Sequence, residues 1–199
     1  MIDRRCKQGE WHSWTWRHDS YELRGKTVGI VGGGAIGRMV MQRLQGWDCK
    51  LIYSDPYRMP EEMEKKLNCE YVSLETLLRE SDVVSLHCPL TEQTRGMIGK
   101  EQLAMMKPNA IIVNEARGAV IDDKALVEAL QNGTIWGAAI DTWEKEPLDP
   151  NDPLVKMEKV ITTSHLGAAT RETVIRCFSI GYQNILRQIH GEELVNRIV

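Results

Sequence analysis

The chain has 199 residues, of which 42% are hydrophobic and 27% are charged, and its formal net charge is −3 at pH 7. This length and composition predict one large globular domain, and the slightly acidic balance excludes nucleic acid and acidic membrane surfaces as expected partners. The longest apolar runs, such as 110–113 and 138–140, are far too short to cross a bilayer.

The cysteines and the N-terminal sequence indicate a cytoplasmic protein. The five cysteines are scattered without a C-x-x-C pair, which favours free thiols in a reducing compartment and argues against structural zinc, so no metal site is predicted. The N-terminal sequence MIDRRCKQGE has no apolar signal-peptide core. His87 and Cys88 suggest a nucleophilic pair, but neighbours in an extended segment point to opposite faces, which favours a small buried thiol.

Strands and helices are predicted to alternate along the chain. Short apolar runs predict strands at 26–31, 50–55, 82–87, 110–114, 136–141 and 159–164. Apolar periodicity and capping residues predict helices at 35–46, 61–68, 74–81, 122–133 and 169–190. In the first of these helices, Ile36, Val40 and Leu44 share one face. The alternation predicts a doubly wound parallel α/β sheet with helices on both faces, whose ligands bind beyond the carboxyl ends of the strands.

The first predicted strand runs into the sequence GGGAIG, residues 32–37. It fits G-x-G-x-x-G, in which Gly32 allows a tight turn, Gly34 lets the backbone approach a pyrophosphate, and Gly37 lets the helix pack closely on the strand. The motif alone is weak, but a strand precedes it and a helix follows. Asp55 ends the next strand, where a carboxylate binds an adenosine ribose and repels a 2′-phosphate. The alternative role for Asp55 is to form a turn, yet the context favours a Rossmann-type domain that binds NAD rather than NADP.

Polar residues follow three further predicted strands. Arg117, the acidic stretch IDTWEKEP (140–147) and His165 each lie just beyond a different strand. Singly, each has an ordinary explanation, because a loop Arg is usually solvated and a His before a helix usually makes a local hydrogen bond. Together, behind a dinucleotide motif, they are expected to converge beside a nicotinamide.

Five motifs occur in order along the chain: GIVGGGAIGR, SDVVSLHCPLTEQTRGMI, VNEARGAVIDDKALVEAL, GAAIDTWEKEPL and TSHLGAAT. Together they resemble the D-isomer-specific 2-hydroxyacid dehydrogenases, and HLGAAT is similar to the phosphoglycerate dehydrogenase branch. The resemblance extends from about Glu22 to the C-terminus. It implies an NAD-dependent oxidoreductase that interconverts a D-2-hydroxy acid and a 2-keto acid, and it implies a homodimer.

The resemblance also implies roles for individual residues. Arg117 would bind the carboxylate and carbonyl oxygens of the substrate, because a guanidinium presents a planar fork to two oxygens. His165 would be the general acid and base, and Glu146 would pair with it and fix its tautomer. Asp141 would contact the cofactor near the nicotinamide. The remaining implied cofactor contacts are Gly32, Gly34, Ala35, Ile36, Gly37, Asp55, Cys88, Pro89, Glu115, Ala116, His165 and Gly167.

Two departures from the family pattern are visible. Glu115 replaces a residue that is usually small, and its bulk and charge are expected to weaken NAD binding. Family members begin with a substrate-binding lobe that is not expected here. The predicted organisation is a partial interdomain helix or arm at 1–21, an NAD-binding domain at 22–168, and a C-terminal helix at 169–199 that would return to the missing lobe.

Two apolar segments are expected to need a covering surface. The final helix carries an apolar stripe that would be exposed or covered by a partner. Its members are Val174, Phe178, Ile185 and Ile189. A second apolar group, Trp11, Trp14 and Trp16, either caps the core of its own domain or forms an interface arm, and the sequence leaves both interpretations open.

Functions from different classes remain open at this stage. The first is an NAD-dependent oxidoreductase, or its cofactor-binding half, with turnover only if a substrate lobe is supplied. The second is an NAD(H)-binding module without turnover, either a truncated dehydrogenase or a redox-responsive interaction protein, since C-terminal-binding corepressors resemble this fold. A third is a remnant that binds nothing. Intact Arg117, Glu146 and His165 favour the enzyme, whereas a missing lobe favours an inactive chain.

Overall fold

The structure, a computed structural model, describes residues 2–11 and 20–196. It divides into two compact units, residues 1–164 and 165–199. The first unit contains α1 (Ile2–Lys7), α2 (Ala35–Arg43), α3 (Glu61–Leu67), α4 (Leu74–Glu80), α5 (Lys100–Met105) and α6 (Asp123–Gln131), with short 3-10 helices at Gly118–Val120 and Pro153–Lys156. The second unit contains α7 (Arg171–His190).

The described residues of the first unit form one parallel sheet of seven strands, in the order β3-β2-β1-β4-β5-β6-β7. The strands are β1 (Thr27–Val31), β2 (Lys50–Ser54), β3 (Cys69–Tyr71), β4 (Val83–Leu86), β5 (Ile111–Asn114), β6 (Gly137–Ile140) and β7 (Val160–Thr162). The strand order reverses between β1 and β4, which defines the topological switch point of a doubly wound sheet. The α/β fold class predicted from the sequence is confirmed.

The core of the first unit forms two apolar clusters within the described residues. Val28 and Ile30 of β1 belong to one cluster, whereas Val31 belongs to the other. Successive side chains of a strand point to opposite faces, so the two clusters cover the two faces of the sheet. Because the strands are buried on both faces, their sequences are short apolar runs rather than alternations of apolar and polar residues.

The predicted elements occur with small differences at their ends. Asp122 caps α6 as predicted, because its Oδ1 accepts hydrogen bonds from the backbone N–H groups of Lys124 and Ala125 at 3.0 and 3.1 Å. The short elements β3 and α5 were not predicted. Three strand residues and six helical residues are too few to display a clear hydrophobic period.

Two of the three apolar residues predicted to share one face of α2, Val40 and Leu44, pack against the core, whereas Ile36 does not. Gly37 and Met41 are the buried residues of α2, whereas Ile36 is 63% exposed. A Cβ atom on Gly37 would overlap the carbonyl oxygen of Gly32. The helix therefore approaches the strand along its glycine face, and Ile36 is left at the surface.

The second unit and the N-terminal segment expose large apolar side chains. Every described residue of α7 is exposed or half-buried, and Phe178 and Ile189 are 76% and 71% exposed. Trp11 is also exposed, whereas Trp14 and Trp16 lie outside the described residues, so their role stays a prediction. No helix in the described part of the chain is long and apolar enough to span a membrane.

Candidate functional site

A glycine turn joins β1 to α2 at the switch point of the sheet. Gly32 has φ +102°, which favours glycine, and a Cβ atom there would lie 2.8 Å from the backbone nitrogen of Cys88. The turn therefore fits between β1 and the segment after β4 only because residue 32 has no side chain. The predicted structural role of Gly32 in a tight turn agrees with this geometry.

The N-terminus of α2 is open. Gly34 is its N-cap residue and provides no side-chain cap, and a Cβ atom on Gly34 would meet no atom within 4 Å. Ala35 is also exposed. The first N–H groups of a helix lack partners within the helix and form its positive end, so this terminus suits the phosphates of a dinucleotide.

Asp55 lies beside the glycine turn, directly after β2. Its Oδ2 accepts a hydrogen bond from the Gly33 N–H at 2.7 Å, and its Oδ1 accepts one from the Tyr57 N–H at 2.8 Å. The turn-forming role considered for Asp55 is therefore real. It does not exclude the ligand role, because an ionised carboxylate retains further lone pairs for hydroxyl donors.

A cavity of about 750 Å³ opens beside Asp55. Its walls include Gly32, Asp55, Tyr57, Cys88 and Pro89, which come from the loops after β1, β2 and β4. The volume lies in the range of small-molecule sites. A glycine turn, a carboxylate and mainly apolar walls fit the adenosine half of a dinucleotide.

Cys88 and His87 do not form a nucleophilic pair. Ser85 Oγ lies 2.9 Å from His87 Nε2, so the imidazole interacts with its own strand. Burial raises the pKa of the Cys88 thiol and lowers the pKa of His87, so both side chains favour their neutral forms. Cys88 therefore lines the cavity as a neutral thiol.

Arg117 follows β5 in a loop that Asn114 organises. The Asn114 side chain is 1% exposed, and its Oδ1 accepts from the Ala116 N–H while its Nδ2 donates to the Arg117 carbonyl, both at 3.0 Å. Arg117 itself is exposed, and its Nη1 donates to the Ala116 carbonyl at 2.7 Å. Glu115 is exposed as well. Sequence reasoning missed Asn114, although a buried amide at a strand end is a recognisable turn former.

The loop of Arg117 touches the loop that follows β6. A Cβ atom on Gly118 would overlap the backbone of Trp143 and Glu144. Trp143 is 7% exposed, and its backbone N–H donates to Glu146 Oε1 at 3.1 Å. The position of the Glu146 carboxylate is therefore linked, through Trp143, to the loop that carries Arg117.

The loop after β7 joins the same arrangement. Trp143 Nε1 donates to the Thr163 carbonyl at 2.9 Å, and the Thr163 hydroxyl donates to Asp141 Oδ1 at 2.5 Å. Asp141 is 7% exposed. Sequence reasoning identified Asp141 and Glu146 but not Trp143, which contacts the loops on both sides of β6.

Two further residues near the predicted site lie at the surface. Glu144, in the acidic stretch 140–147, forms an exposed ion pair with Arg95 at 3.8 Å. His165 is the first residue of the second unit, is exposed, and has φ +57°. Its pairing with Glu146 stays a prediction, as do the cofactor contacts of His165 and Gly167. No group of three or more His, Cys, Asp or Glu in the described chain is placed to hold a metal ion.

The fold and this site define a dinucleotide-binding α/β domain. Residues 1–167 match the family model of the D-isomer specific 2-hydroxyacid dehydrogenase, NAD binding domain. The chain belongs to this family as its NAD-binding domain, and NAD is its cofactor. The resemblance that the sequence motifs suggested is confirmed.

Similar proteins include glyoxylate reductases and D-3-phosphoglycerate dehydrogenases, of which the motifs suggested the second branch. A glyoxylate reductase of Korarchaeum cryptofilum is 46% identical over 203 residues, which cover 99% of this chain and 60% of that protein. A D-3-phosphoglycerate dehydrogenase of Archaeoglobus fulgidus is 37% identical over 198 residues, which cover 100% of this chain and 37% of that protein.

Solved structures with the same fold are also longer than this chain. Apo D-mandelate dehydrogenase of Rhodotorula graminis has a TM-score of 0.88 and 34% identity, with 97% of this chain and 58% of that chain covered. D-lactate dehydrogenase with NAD+ from Lactobacillus jensenii has a TM-score of 0.87 and 31% identity, with 100% and 62% covered.

Proposed function

We propose that this chain is the cofactor-binding half of an oxidoreductase that interconverts a small D-2-hydroxy acid and the corresponding 2-keto acid. The observation that carries the proposal is the contact of Gly118 with Trp143, which links the loop of Arg117 to the loop of Glu146. Both loops leave the carboxyl ends of their strands, at the same edge of the sheet as the glycine turn. The names of the relatives, glyoxylate reductase and D-3-phosphoglycerate dehydrogenase, support this substrate class.

The proposed chemistry divides among three side chains of this chain. The bound cofactor would supply the hydride-transfer chemistry, as hydride acceptor (NAD+) or hydride donor (NADH). Arg117 would hold the substrate carboxylate and carbonyl oxygens with its planar fork of donors. His165 would give a proton to the carbonyl oxygen during reduction and take it back during oxidation. Glu146 would orient His165, a role compatible with the hydrogen bond that already fixes the carboxylate on the Trp143 backbone.

The proposed cofactor contacts follow from the glycine turn and the cavity. Asp55 would bind the adenosine ribose, and the N-terminus of α2 would bind the pyrophosphate. Asp141 would lie near the nicotinamide. The full proposed set is Gly32, Gly34, Ala35, Ile36, Gly37, Asp55, Cys88, Pro89, Glu115, Ala116, Asp141, His165 and Gly167.

The first experiment is an NADH titration of the purified chain, followed by turnover assays with glyoxylate, hydroxypyruvate and pyruvate. Saturable NADH binding by the chain is the expected result, with oxidation of NADH by at least one keto acid once a substrate-binding lobe is supplied. Saturable binding without turnover of any keto acid, even with that lobe supplied, would contradict the dehydrogenase role and favour a binding module. The absence of saturable NADH binding would contradict both.

Matched variants test the proposed catalytic residues. Arg117→Gln is expected to abolish turnover and leave NADH binding intact, whereas Arg95→Gln, which removes the exposed partner of Glu144, should leave both unchanged. His165→Asn is expected to abolish turnover, and His190→Asn at the end of α7 serves as its control. Unchanged turnover in Arg117→Gln or His165→Asn would refute the corresponding assignment.

A homodimer and a cytoplasmic location complete the proposal. The exposed apolar side chains of α7, such as Phe178, support self-association, because large exposed apolar patches on soluble proteins usually mark interaction sites. Light scattering after gel filtration is expected to give twice the chain mass. Phe178→Asp should lower that mass, whereas Trp47→Ser, an exposed aromatic residue of the first unit, should not. Free thiols at all five cysteines support a reducing compartment.

A further inference from the structure

Arg58 stands three residues after Asp55, in the loop that leaves β2. In dinucleotide-binding folds, an Arg close to this position accommodates the 2′-phosphate of NADP. Here the Arg58 side chain makes a different contact. Its Nε donates to Glu64 Oε1 and its Nη2 donates to Glu64 Oε2, both at 2.9 Å. The two parallel hydrogen bonds occupy the guanidinium fork in a bidentate ion pair.

Glu64 is itself held firmly on α3. Its side chain is 9% exposed, and its Oε1 accepts a hydrogen bond from the buried Tyr53 hydroxyl at 2.7 Å. The Tyr53 hydroxyl in turn accepts from the Met59 N–H at 2.8 Å. The hydrogen bonds from Arg58 and Tyr53 lower the pKa of Glu64 to about 2, so the carboxylate is ionised throughout the neutral range.

Tyr71 contacts both Arg58 and the cavity of Asp55. The guanidinium lies over the Tyr71 ring at 5.6 Å from its centroid, and the Tyr71 hydroxyl donates to the Asp55 carbonyl at 3.3 Å. Tyr71 lines the cavity of Asp55, whereas Arg58 lines another cleft together with Glu64. Among the described residues that line the Asp55 cavity, none is Lys or Arg.

We propose that Glu64 determines the cofactor specificity of this domain by holding Arg58 away from the ribose end of the cavity. A 2′-phosphate in that cavity meets the Asp55 carboxylate, and no Lys or Arg among the described residues lines the cavity to offset that charge. Two residues therefore select against NADP. Asp55 repels the 2′-phosphate, and Glu64 is a positioning residue that keeps the Arg58 guanidinium from binding it. The inference rests on the proposed function, in which this cavity receives the adenosine ribose.

The test compares dissociation constants for NADH and NADPH in a double-variant series. Asp55→Ser removes the repelling carboxylate and is expected to give weak NADPH binding. Asp55→Ser combined with Glu64→Gln is expected to bind NADPH about tenfold more tightly than Asp55→Ser, which corresponds to one charge-assisted hydrogen bond from the released Arg58. Adding Arg58→Gln to this pair should abolish the gain.

The control replaces a neighbouring carboxylate on the same helix. Glu61 is exposed and pairs with Lys65 at 2.7 Å, so Asp55→Ser with Glu61→Gln removes the same charge from α3 without releasing Arg58. This variant is expected to bind NADPH no better than Asp55→Ser. An equal gain in the control would show a general charge effect and overturn the proposal.

Other outcomes distinguish the proposal from the function on which it rests. In one outcome the unmodified protein binds NADH normally, but Asp55→Ser and the double variant Asp55→Ser, Glu64→Gln bind NADPH with equal affinity. This outcome would overturn the role of Glu64 and leave the proposed function intact. Failure of the unmodified protein to bind NADH would contradict the proposed function and this inference together. If Glu64→Gln does not fold, as judged by circular dichroism, Glu64→Met gives the same comparison with a side chain of similar volume.

Discussion

Gly118 lies directly against the backbone of Trp143, and no side chain fits between them. Gly118 does not adopt a left-handed conformation, so the requirement for glycine comes from this close approach rather than from its backbone angles. Through this contact, the strand end that carries Arg117 is brought beside the strand end that carries Glu146.

Replacement of Gly118 by Ala is expected to destabilise the first unit by about 1–3 kcal/mol, because backbone atoms cannot move aside as a flexible side chain can. Urea unfolding followed by circular dichroism measures this change. Gly99→Ala is the control, since a Cβ atom there has its nearest neighbour at 3.5 Å. Equal stabilities for the two variants would refute the tight contact between Gly118 and Trp143.

Gly34→Ala is expected to separate binding from folding. A Cβ atom on Gly34 meets no protein atom within 4 Å, so the stability should change only by the small cost of Ala at an N-cap. The methyl group would occupy space that the pyrophosphate needs, and NADH affinity should fall by about tenfold or more. Gly99→Ala changes the N-cap of α5 in the same way and should leave NADH affinity unchanged. Undiminished affinity in Gly34→Ala would place the pyrophosphate elsewhere.

The cysteines provide a footprint of the cavity. Cys6 and Cys177 are exposed and should react first with N-ethylmaleimide, whereas burial raises the pKa of Cys88 and slows its reaction. NADH is expected to protect Cys88, which lines the cavity, but not Cys69, which lines another cleft. Peptide mass spectrometry measures each rate. Protection of Cys69 without protection of Cys88 would move the cofactor to a different site.

Much of the fold was predictable because strands buried on both faces leave short apolar runs that alternate with capped helices. The glycine turn and Asp55 were predictable for a related reason, since both lie at fixed positions relative to those runs. The short elements β3 and α5 left too few residues to show a period.

The contacts that organise the site were not predictable from the sequence. The contact between Gly118 and Trp143 joins residues 25 positions apart, and it depends on how two strands stand in the sheet. In the sequence, Arg58 and Glu64 are two charged residues of a polar segment, and nothing there indicates that they form an ion pair. Its consequence for the cavity follows only from where the guanidinium lies relative to the Tyr71 ring.

The pH dependence of stability offers a test of the electrostatics around α6. Burial, followed by the charges of Asp152, Glu144 and Asp122, raises the pKa of Asp123 to about 6. Because the unfolded value is about 3.9, this side chain favours the folded state most when neutral, below about pH 4, and its contribution is lost as the pH rises through about 6. Asp123→Asn should therefore raise the unfolding free energy at neutral pH by roughly 1 kcal/mol, after allowance for solvent screening of a half-exposed group. Glu128→Gln, at an exposed position of the same helix, is the control. The unfolding free energy of the wild type is expected to differ between acidic and neutral pH. If Asp123→Asn shows the same difference, the raised pKa of Asp123 does not contribute to it and the prediction is wrong.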